Sequence, residues 1–486
     1  MLLKLQRLQF GRKSERLPEE QLHLGLEDLE TAVAEGEARA EQRDPALRHE
    51  RTAKRRANRG ALSAHLPRIE VVLEPRDTAC PCCRTAMVVI GEDRSERLDV
   101  IPAQVRVLMT RRPKLACRAC SGVVVQTPAP PRLIEGGLPT EALVAHVLVS
   151  RYADHLPLYR QAQILARQGV VLDRATLWRS GWATRRSRST RWCAGCGRSC
   201  WPSARVFADE TVVPVLDPGR GRTKHGYFWA IARDDRPWGG TDPPAVAYRY
   251  APGRGTEHAR ALLGGYRGIL QCDGYAAYKS LADPAGARGP RVLAFCWSHV
   301  QRGFYDLART AAAPIATEAL ARIAALYRIE ADIRGQQAAA RRDARQARSR
   351  PLVAELHAWF TAQMAKLPAR SPTAEAIRYA LNHWDRLSVD LLRSSTLNDG
   401  RIEIDNNSVE RAVRPIALSR KNALFAGSDE GGANWAAVAS LIETCKLNGV
   451  DPQRYLTGLL TRLVNGWPQA QIDALMPWHD AAETGG

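Results

Sequence analysis

The sequence predicts a mixed α/β core broken by a long helical insertion and preceded by helical and cysteine-bearing segments. Three observations carry this. Hydrophobicity switches to a period of two from Val206 onward, a stretch from about 300 to 395 keeps a helical period, and two C-x-x-C pairs lie upstream. A chain of 486 residues exceeds one typical core, so two or three domains are expected, and a hydrophobic content of 45% is ample for burial. Lys+Arg 70 against Asp+Glu 51 leaves a net charge of +19, which favours a polyanionic partner. Charge interrupts the N-terminus too early for a secretory segment, and no run reaches the ~18 apolar residues of a membrane helix. The chain reads as cytoplasmic, where its 11 cysteines suit metal ligation or free thiols better than disulfides.

From the N-terminus, Leu22, Leu26, Leu29 and Val33 recur at helical spacing within 18–42. A basic stretch follows at 48–59 with Arg51, Lys54, Arg55 and Arg56, either a solvated linker or a phosphate-contacting arm. Cys80 with Cys83 and Cys117 with Cys120 form two knuckles whose four sulfurs suit one tetrahedral structural zinc. Between them, Leu98-Asp99-Val100-Ile101 and Val105-Arg106-Val107-Leu108-Met109 read as strands of a zinc ribbon, and Cys82 is a spare thiol. Residues 129–150 begin with a Pro-rich turn and become helical; then 152–168, a turn at Gly169 and 173–182 give a helix-turn-helix-like pattern, with Asp173 as a cap for its second helix.

Strand-like runs follow at 206–207, 212–215, 227–231 and 246–250, with Gly, Pro and Asp turns between them. A helix at 256–265 leads to further strands ending at Asp273 and Trp297. Three antiparallel strands, a helix and more strands read as α/β of the ribonuclease H type, with Asp209 on the first strand and Asp273 closing the fourth. In the insertion, Leu352, Leu356, Trp359, Phe360 and Met364 share one helical face and read as core. The basic run Arg341, Arg342, Arg345, Arg348 and Arg350 reads as a solvated face.

The most informative words are Ala208-Asp209-Glu210-Thr211, Cys272-Asp273-Gly274-Tyr275 and Asp405-Asn406-Asn407-Ser408-Val409-Glu410-Arg411-Ala412-Val413-Arg414-Pro415. Carboxylates on one strand, a second strand and a later helix are what a two-metal phosphoryl-transfer site needs, with magnesium or manganese held through oxygen. Glu410 falls just inside a helix capped by Asn406, Asn407 or Ser408, and Arg411 and Arg414 can reach a phosphate nearby. Glu210 is the competing assignment, but strand alternation sends it to the opposite face from Asp209. Cys296 and His299 have metal-ligand spacing, yet two ligands are too few, so they read as local structure.

These words carry a family resemblance when joined to Tyr152-Ala153-Asp154-His155-Leu156-Pro157-Leu158-Tyr159-Arg160, Cys296-Trp297-Ser298-His299, Arg420-Lys421-Asn422 and Gly427-Ser428 before Gly431-Gly432. Over most of its length the chain resembles the insertion sequence 66 family of bacterial transposases. The resemblance implies a leucine-rich and basic helical region at 1–60, a zinc-binding domain at 61–128 and a helical DNA-binding region at 129–200. A DDE catalytic domain at 201–440, with its insertion at about 305–395, and a C-terminal segment at 441–486 complete it. It makes Asp209, Asp273 and Glu410 the catalytic acids and ligands of two magnesium ions. Arg411, Arg414, Arg420 and Lys421 become candidates for neutralising phosphates. The expected partners are double-stranded DNA, as element ends and target, a second copy of the chain, and accessory proteins of the element; no membrane is involved. Such a protein is nucleoid-associated when it holds DNA.

Two departures stand against the resemblance. The leucine-rich helix is shorter than in relatives. The stretch 185–205 is rich in arginine and carries Cys193, Cys196 and Cys200 where relatives have a leucine-rich helix, as a reading-frame slip later restored would produce. The rival readings are a ribonuclease H-like nuclease and a decayed transposase that binds DNA without cutting it.

Overall fold

The computed structural model describes residues 104–116, 124–134, 137–171, 203–217, 222–282, 292–310, 313–388, 399–423 and 425–482, with a few isolated positions besides. The chain divides into two compact units, Met1–Arg106 and Val107–Gly486, and every element below belongs to the second. Several expectations lie outside the described residues: the N-terminal helix, the basic stretch at 48–59, Cys80, Cys83, Cys117, Cys120, the helix at 173–182 and most of 185–205.

Strand β1 (Lys114–Ala116) pairs antiparallel with β2 (Val124–Gln126). The strand expected at 105–109 is absent: Val107, Leu108 and Met109 are exposed and find no partner strand among the described residues. The helical stretch expected within 129–150 is α1 (Glu141–Tyr152), and the helix expected over 152–168 is α2 (Leu158–Arg167), which starts six residues late. Pro157 lacks an N–H and disfavours helical backbone in the residue before it, and His155 turns at φ 56. Helix α2 stops where Gly169 takes φ 80, so that Val170 N–H reaches Leu165 O at 3.0 Å.

The central sheet has the order β5-β4-β3-β6-β7. Its strands are β3 (Arg205–Asp217), β4 (Arg222–Arg233), β5 (Ala245–Ala251), β6 (Ile269–Cys272) and β7 (Val292–Phe295). The runs at 206–207 and 212–215 therefore belong to one strand. Antiparallel pairing joins β3 to β4 and β4 to β5, while β3 to β6 and β6 to β7 are parallel. The parallel crossovers use α3 (Thr256–Leu263) and α4 (Ala276–Lys279).

Alternation along β3 splits the core in two. Val206 and Ala208 join Trp229, Leu263, Tyr278 and Phe304 on one face, whereas Phe207, Val213 and Val215 join Phe228, Val246 and Tyr248 on the other. The second face is covered by α11 (Asn407–Ala423), α12 (Asp429–Leu447) and α13 (Pro452–Val464). Strand β5 ends the sheet, and α12 satisfies its outer edge: Ser440 Oγ accepts from Tyr248 N at 2.8 Å and Thr444 Oγ1 from Val246 N at 3.2 Å.

Between β7 and α11 lies the insertion: α5 (Trp297–Thr310), α6 (Pro314–Ile333), α7 (Ala338–Ala344), α8 (Arg350–Met364), α9 (Pro372–Asn382) and α10 (Trp384–Leu387). Leu356 and Phe360 are buried, with Leu352, Trp359 and Met364 packed beside them, so the apolar stripe is core. The basic run is only partly a solvated face. Arg341 and Arg345 are buried at 1% and 0% relative exposure, because their spacing of four puts both on the face that meets Glu330 and Glu403. Arg345 bonds Glu330 at 2.6 and 2.7 Å and Ile402 O at 2.8 Å, and Arg341 pairs with Glu403 at 2.7 Å.

Removing one partner of such a network leaves an uncompensated buried charge. Arg345→Ala is expected to destabilise the protein by roughly 3 kcal/mol, read from its urea midpoint, whereas exposed Arg342→Ala shifts it by less than about 0.5 kcal/mol.

Candidate functional site

The last residue pair of the parallel β3–β6 ladder is Phe207 with Gln271. Two residues further along the chain from each stand Asp209, still within β3, and Asp273, just past the end of β6, so equal offsets from a shared register make them neighbours. Beyond Phe207 the β3 edge is released by β6, and Pro214 O instead accepts from Ala426 N at 2.9 Å. Asp209 thus sits where the sheet splits open.

Glu410 reaches the same place through a hydrogen-bonded segment. Gln271 grips the backbone of Glu403 from both sides, accepting from its N–H at 2.8 Å and donating to its C=O at 2.8 Å. Trp297 N–H donates to Ile404 O at 3.0 Å, and Asn406 N–H donates to Cys296 Sγ at 3.1 Å. Asn406 Nδ2 donates to Ala208 O at 3.2 Å, on the residue before Asp209. Asn406 holds the N-cap position of α11, but its amide ties the helix to β3, and Asp405 supplies the side-chain acceptor for Asn407 N–H at 3.1 Å. The backbone N–H of Glu410 closes the first turn on Asn406 O at 3.1 Å.

The predicted acids share one electrostatic field. Burial, then the charges of Glu210, Asp273 and Glu410, push the Asp209 carboxyl from an ordinary 3.8 up to about 7. One backbone N–H, from Glu210 at 2.8 Å, opposes them. Glu210 faces the other way, as alternation requires. Its carboxylate accepts from Tyr278 Oη at 2.6 Å and from Arg254 Nε at 2.7 Å, and burial raises its pKa despite both. Arg254 in turn lies over the Tyr275 ring at 4.0 Å. Among the described residues Asp209 has no cation within salt-bridge distance, and this deficit of positive charge among carboxylate oxygens fits hard divalent cations.

Cys296 and His299 also enter the site. His299 Nδ1 is 4.0 Å from Glu410 Oε1, and the donor atoms of Cys296, His299 and Glu410 all lie within 4.8 Å of one another. Burial pushes the Cys296 thiol up to about 12, so it stays protonated while accepting from Asn406, and it orders the approach to Glu410. On α11, Arg411 and Arg414 are exposed, as a phosphate contact requires. Arg420 is turned inward, donating to Val212 O and to Thr211 Oγ1 at 3.2 Å, and Lys421 is half-buried. Sequence reasoning missed Gln271, Arg254 and Tyr278. Only Gln271 left a signal, as a polar residue inside the apolar run Gly268-Ile269-Leu270-Gln271-Cys272.

A carboxyl raised from 3.8 to about 7 keeps its proton in the folded state through that interval, so stability falls as pH rises through it and the penalty is complete above about 7. Asp209→Asn is therefore expected to raise the metal-free melting temperature at pH 8 by a few degrees and by roughly a third as much at pH 5. Added magnesium is expected to stabilise the wild type and not the variant; a melting curve at each pH decides it.

Comparison with known proteins covers the same region. The Transposase IS66 family matches residues 136–434, the IS66 C-terminal element 440–478, the zinc-finger binding domain of transposase IS66 77–121, and the Transposase C of IS166 homeodomain 1–71. Among relatives, the uncharacterized protein y4qI of Sinorhizobium fredii is 46% identical, over 98% of this chain and 87% of its own length. A second from the same organism, y4jD, is 44% identical over 99% of this chain and 93% of its own length. With its central family model spanning the whole sheet and insertion, the chain belongs to the IS66 family of transposases.

Proposed function

We propose that this protein binds the ends of its insertion sequence and catalyses metal-dependent DNA cleavage and strand transfer on a ribonuclease H-like core. The observation that carries the reading is the approach of Asp209 within β3, Asp273 just past β6 and Glu410 on α11, with Asp209 raised to about 7 by burial and then by the charges of Glu210, Asp273 and Glu410. The strand order β5-β4-β3-β6-β7, antiparallel then parallel, supports the ribonuclease H-like assignment.

In this reading Asp209, Asp273 and Glu410 hold two magnesium or manganese ions, which when bound supply Lewis-acid stabilisation of the charge that builds on a phosphodiester. The chain's own residues fix where that charge can sit. Gln271 and Asn406 hold the three carboxylates against mutual repulsion, and Arg411 and Arg414 meet phosphates along the exposed side of α11. Attack of water at the element's end breaks one P–O bond, makes another and frees a 3′-hydroxyl. Attack of that hydroxyl on target DNA again exchanges one P–O bond for another, so no external energy source is needed.

Cys80, Cys83, Cys117 and Cys120 fall within the zinc-finger match at 77–121 and are proposed to bind one structural zinc. End recognition falls to that domain and the helical region after it. Two ends must be joined, so at least two copies act together, with accessory proteins of the element as further partners. Among the described residues no helix is long and apolar enough to cross a membrane, which suits a cytoplasmic, nucleoid-bound protein.

The test is cleavage of a labelled DNA carrying the element's own ends. Wild type is expected to cut only with magnesium or manganese, and Asp273→Asn and Glu410→Gln to lose at least about a thousandfold in rate while still binding the DNA. Binding without cleavage by the wild type would instead support a decayed copy. Arg411→Ala with Arg414→Ala is expected to weaken binding uniformly across sequences, with a salt slope about two units shallower.

A further inference from the structure

Near Asp273 a cavity of about 260 Å³ opens between α4, β7 and the α9–α10 corner of the insertion. Lys279, Phe295, Asn382, His383, Asp385 and Arg386 line it. Its wall touches the catalytic turn. A Cβ on Gly274 would come 2.7 Å from His383 Nε2, so glycine at this position lets the Asp273-Gly274-Tyr275 turn lie against the insertion. Across the parallel strands Cys272 pairs with Phe295, which sets the cavity's Phe295 floor one residue back from Asp273.

The cavity carries two cations, Lys279 and Arg386, against one carboxylate, Asp385. Arg205, Arg254, Arg341, Arg345 and Arg401 each pair with a carboxylate, yet among the described residues neither Lys279 nor Arg386 has one within 4.0 Å. Both lie over the Phe295 ring, Lys279 Nζ at 5.9 Å and Arg386 Cζ at 5.3 Å from its centre. Lys279 is aimed by His383. The ring's Nδ1 is 2.7 Å from Tyr379 O and must donate to it, so Nε2 of the neutral ring accepts from the Lys279 ammonium at 2.9 Å. Such a partner orients the ammonium and leaves its charge uncancelled. An exposed aromatic, Tyr379, packs on His383 with ring centres 4.5 Å apart and planes tilted by 34°.

A lining with two cations to one carboxylate, a concave surface and aromatic rings beside Asp273 suit one strand of DNA better than a duplex groove. We propose that this cavity receives the phosphate of the nucleotide flanking the bond held at Asp273, with Lys279 and Arg386 as its counter-charges. The insertion thereby contributes to substrate binding as well as to the core. This rests on the DNA-cleaving reading above.

The experiment compares full-length wild type with Lys279→Gln, Arg386→Gln and the double variant. Binding to a labelled element end is measured by anisotropy in calcium over a salt titration. Each glutamine is expected to make the salt slope shallower by about one unit, and Arg386→Lys to restore it, which a folding defect would not do. A DNA with a neutral methylphosphonate beside the scissile bond is expected to bind wild type more weakly, but the double variant as well as normal DNA. Wild type that binds with a slope and methylphosphonate response shared by the double variant overturns the cavity's role alone. Wild type that binds no element end overturns it together with the reading beneath it.

Discussion

The structure depends on one short segment, 402–406, being sewn across the ends of three strands. Gln271 takes both polar groups of the Glu403 backbone, Trp297 N–H takes Ile404 O, and Asn406 reaches Cys296 on one side and Ala208 O on the other. These bonds sit where water is largely excluded, so each unmade one would cost the full desolvation of its group. The consequence is geometric. The residues flanking Asp209 and Asp273 on the strands are the ones that hold the start of α11, so the helix carrying Glu410 cannot drift from the acids it must meet.

A second layer holds the segment from behind. Glu403 lies between Arg341 at 2.7 Å, Arg205 at 3.8 Å and Arg334 at 3.6 Å, while Arg345 joins Glu330 to Ile402 O. Arg205 begins β3 and also bonds Gln271 at 3.2 Å. A network of buried ions is a poor source of net stability compared with apolar packing, because desolvation offsets most of the Coulomb gain. Its directionality is what apolar packing lacks. Here it fixes the insertion, the first strand and the 402–406 segment in one relative arrangement, which a catalytic site needs more than it needs extra stability.

Much of this was legible in the residues. Period-two runs located the strands of the sheet, and Asp273 and Glu410 stood out at the end and start of elements, whereas Asp209, placed on the first strand, lies inside β3 where β6 releases it. Glu210 was set aside by alternation alone, and its bonds to Tyr278 and Arg254 agree. What stayed hidden was long-range. Arg341 and Arg345 look like solvent-facing cations because their carboxylates come from Glu330 and Glu403 on other elements, and nothing local marks the pairing. Arg420 looks like a phosphate ligand for the same reason, although it holds β3. The break at Pro157 was readable from proline chemistry, but the helical period on either side of it masked the boundary.

The site also shows what its chemistry demands of the fold. Carboxylates that would repel one another are held together by backbone bonds and packing, and Asp209 answers by ionising only near pH 7. Arg254 could have relieved this, yet it is committed to Glu210. An internal arginine beside Asp209 would stabilise the empty protein and, by the same stroke, compete with the cations that the carboxylates are proposed to bind. Leaving the acids unneutralised keeps the fold below its stability optimum at neutral pH and gives divalent ions a free-energy gain on binding that a satisfied site could not offer. The strain is local and reversible, because Gln271 and Asn406 resist the movement that would otherwise dissipate it.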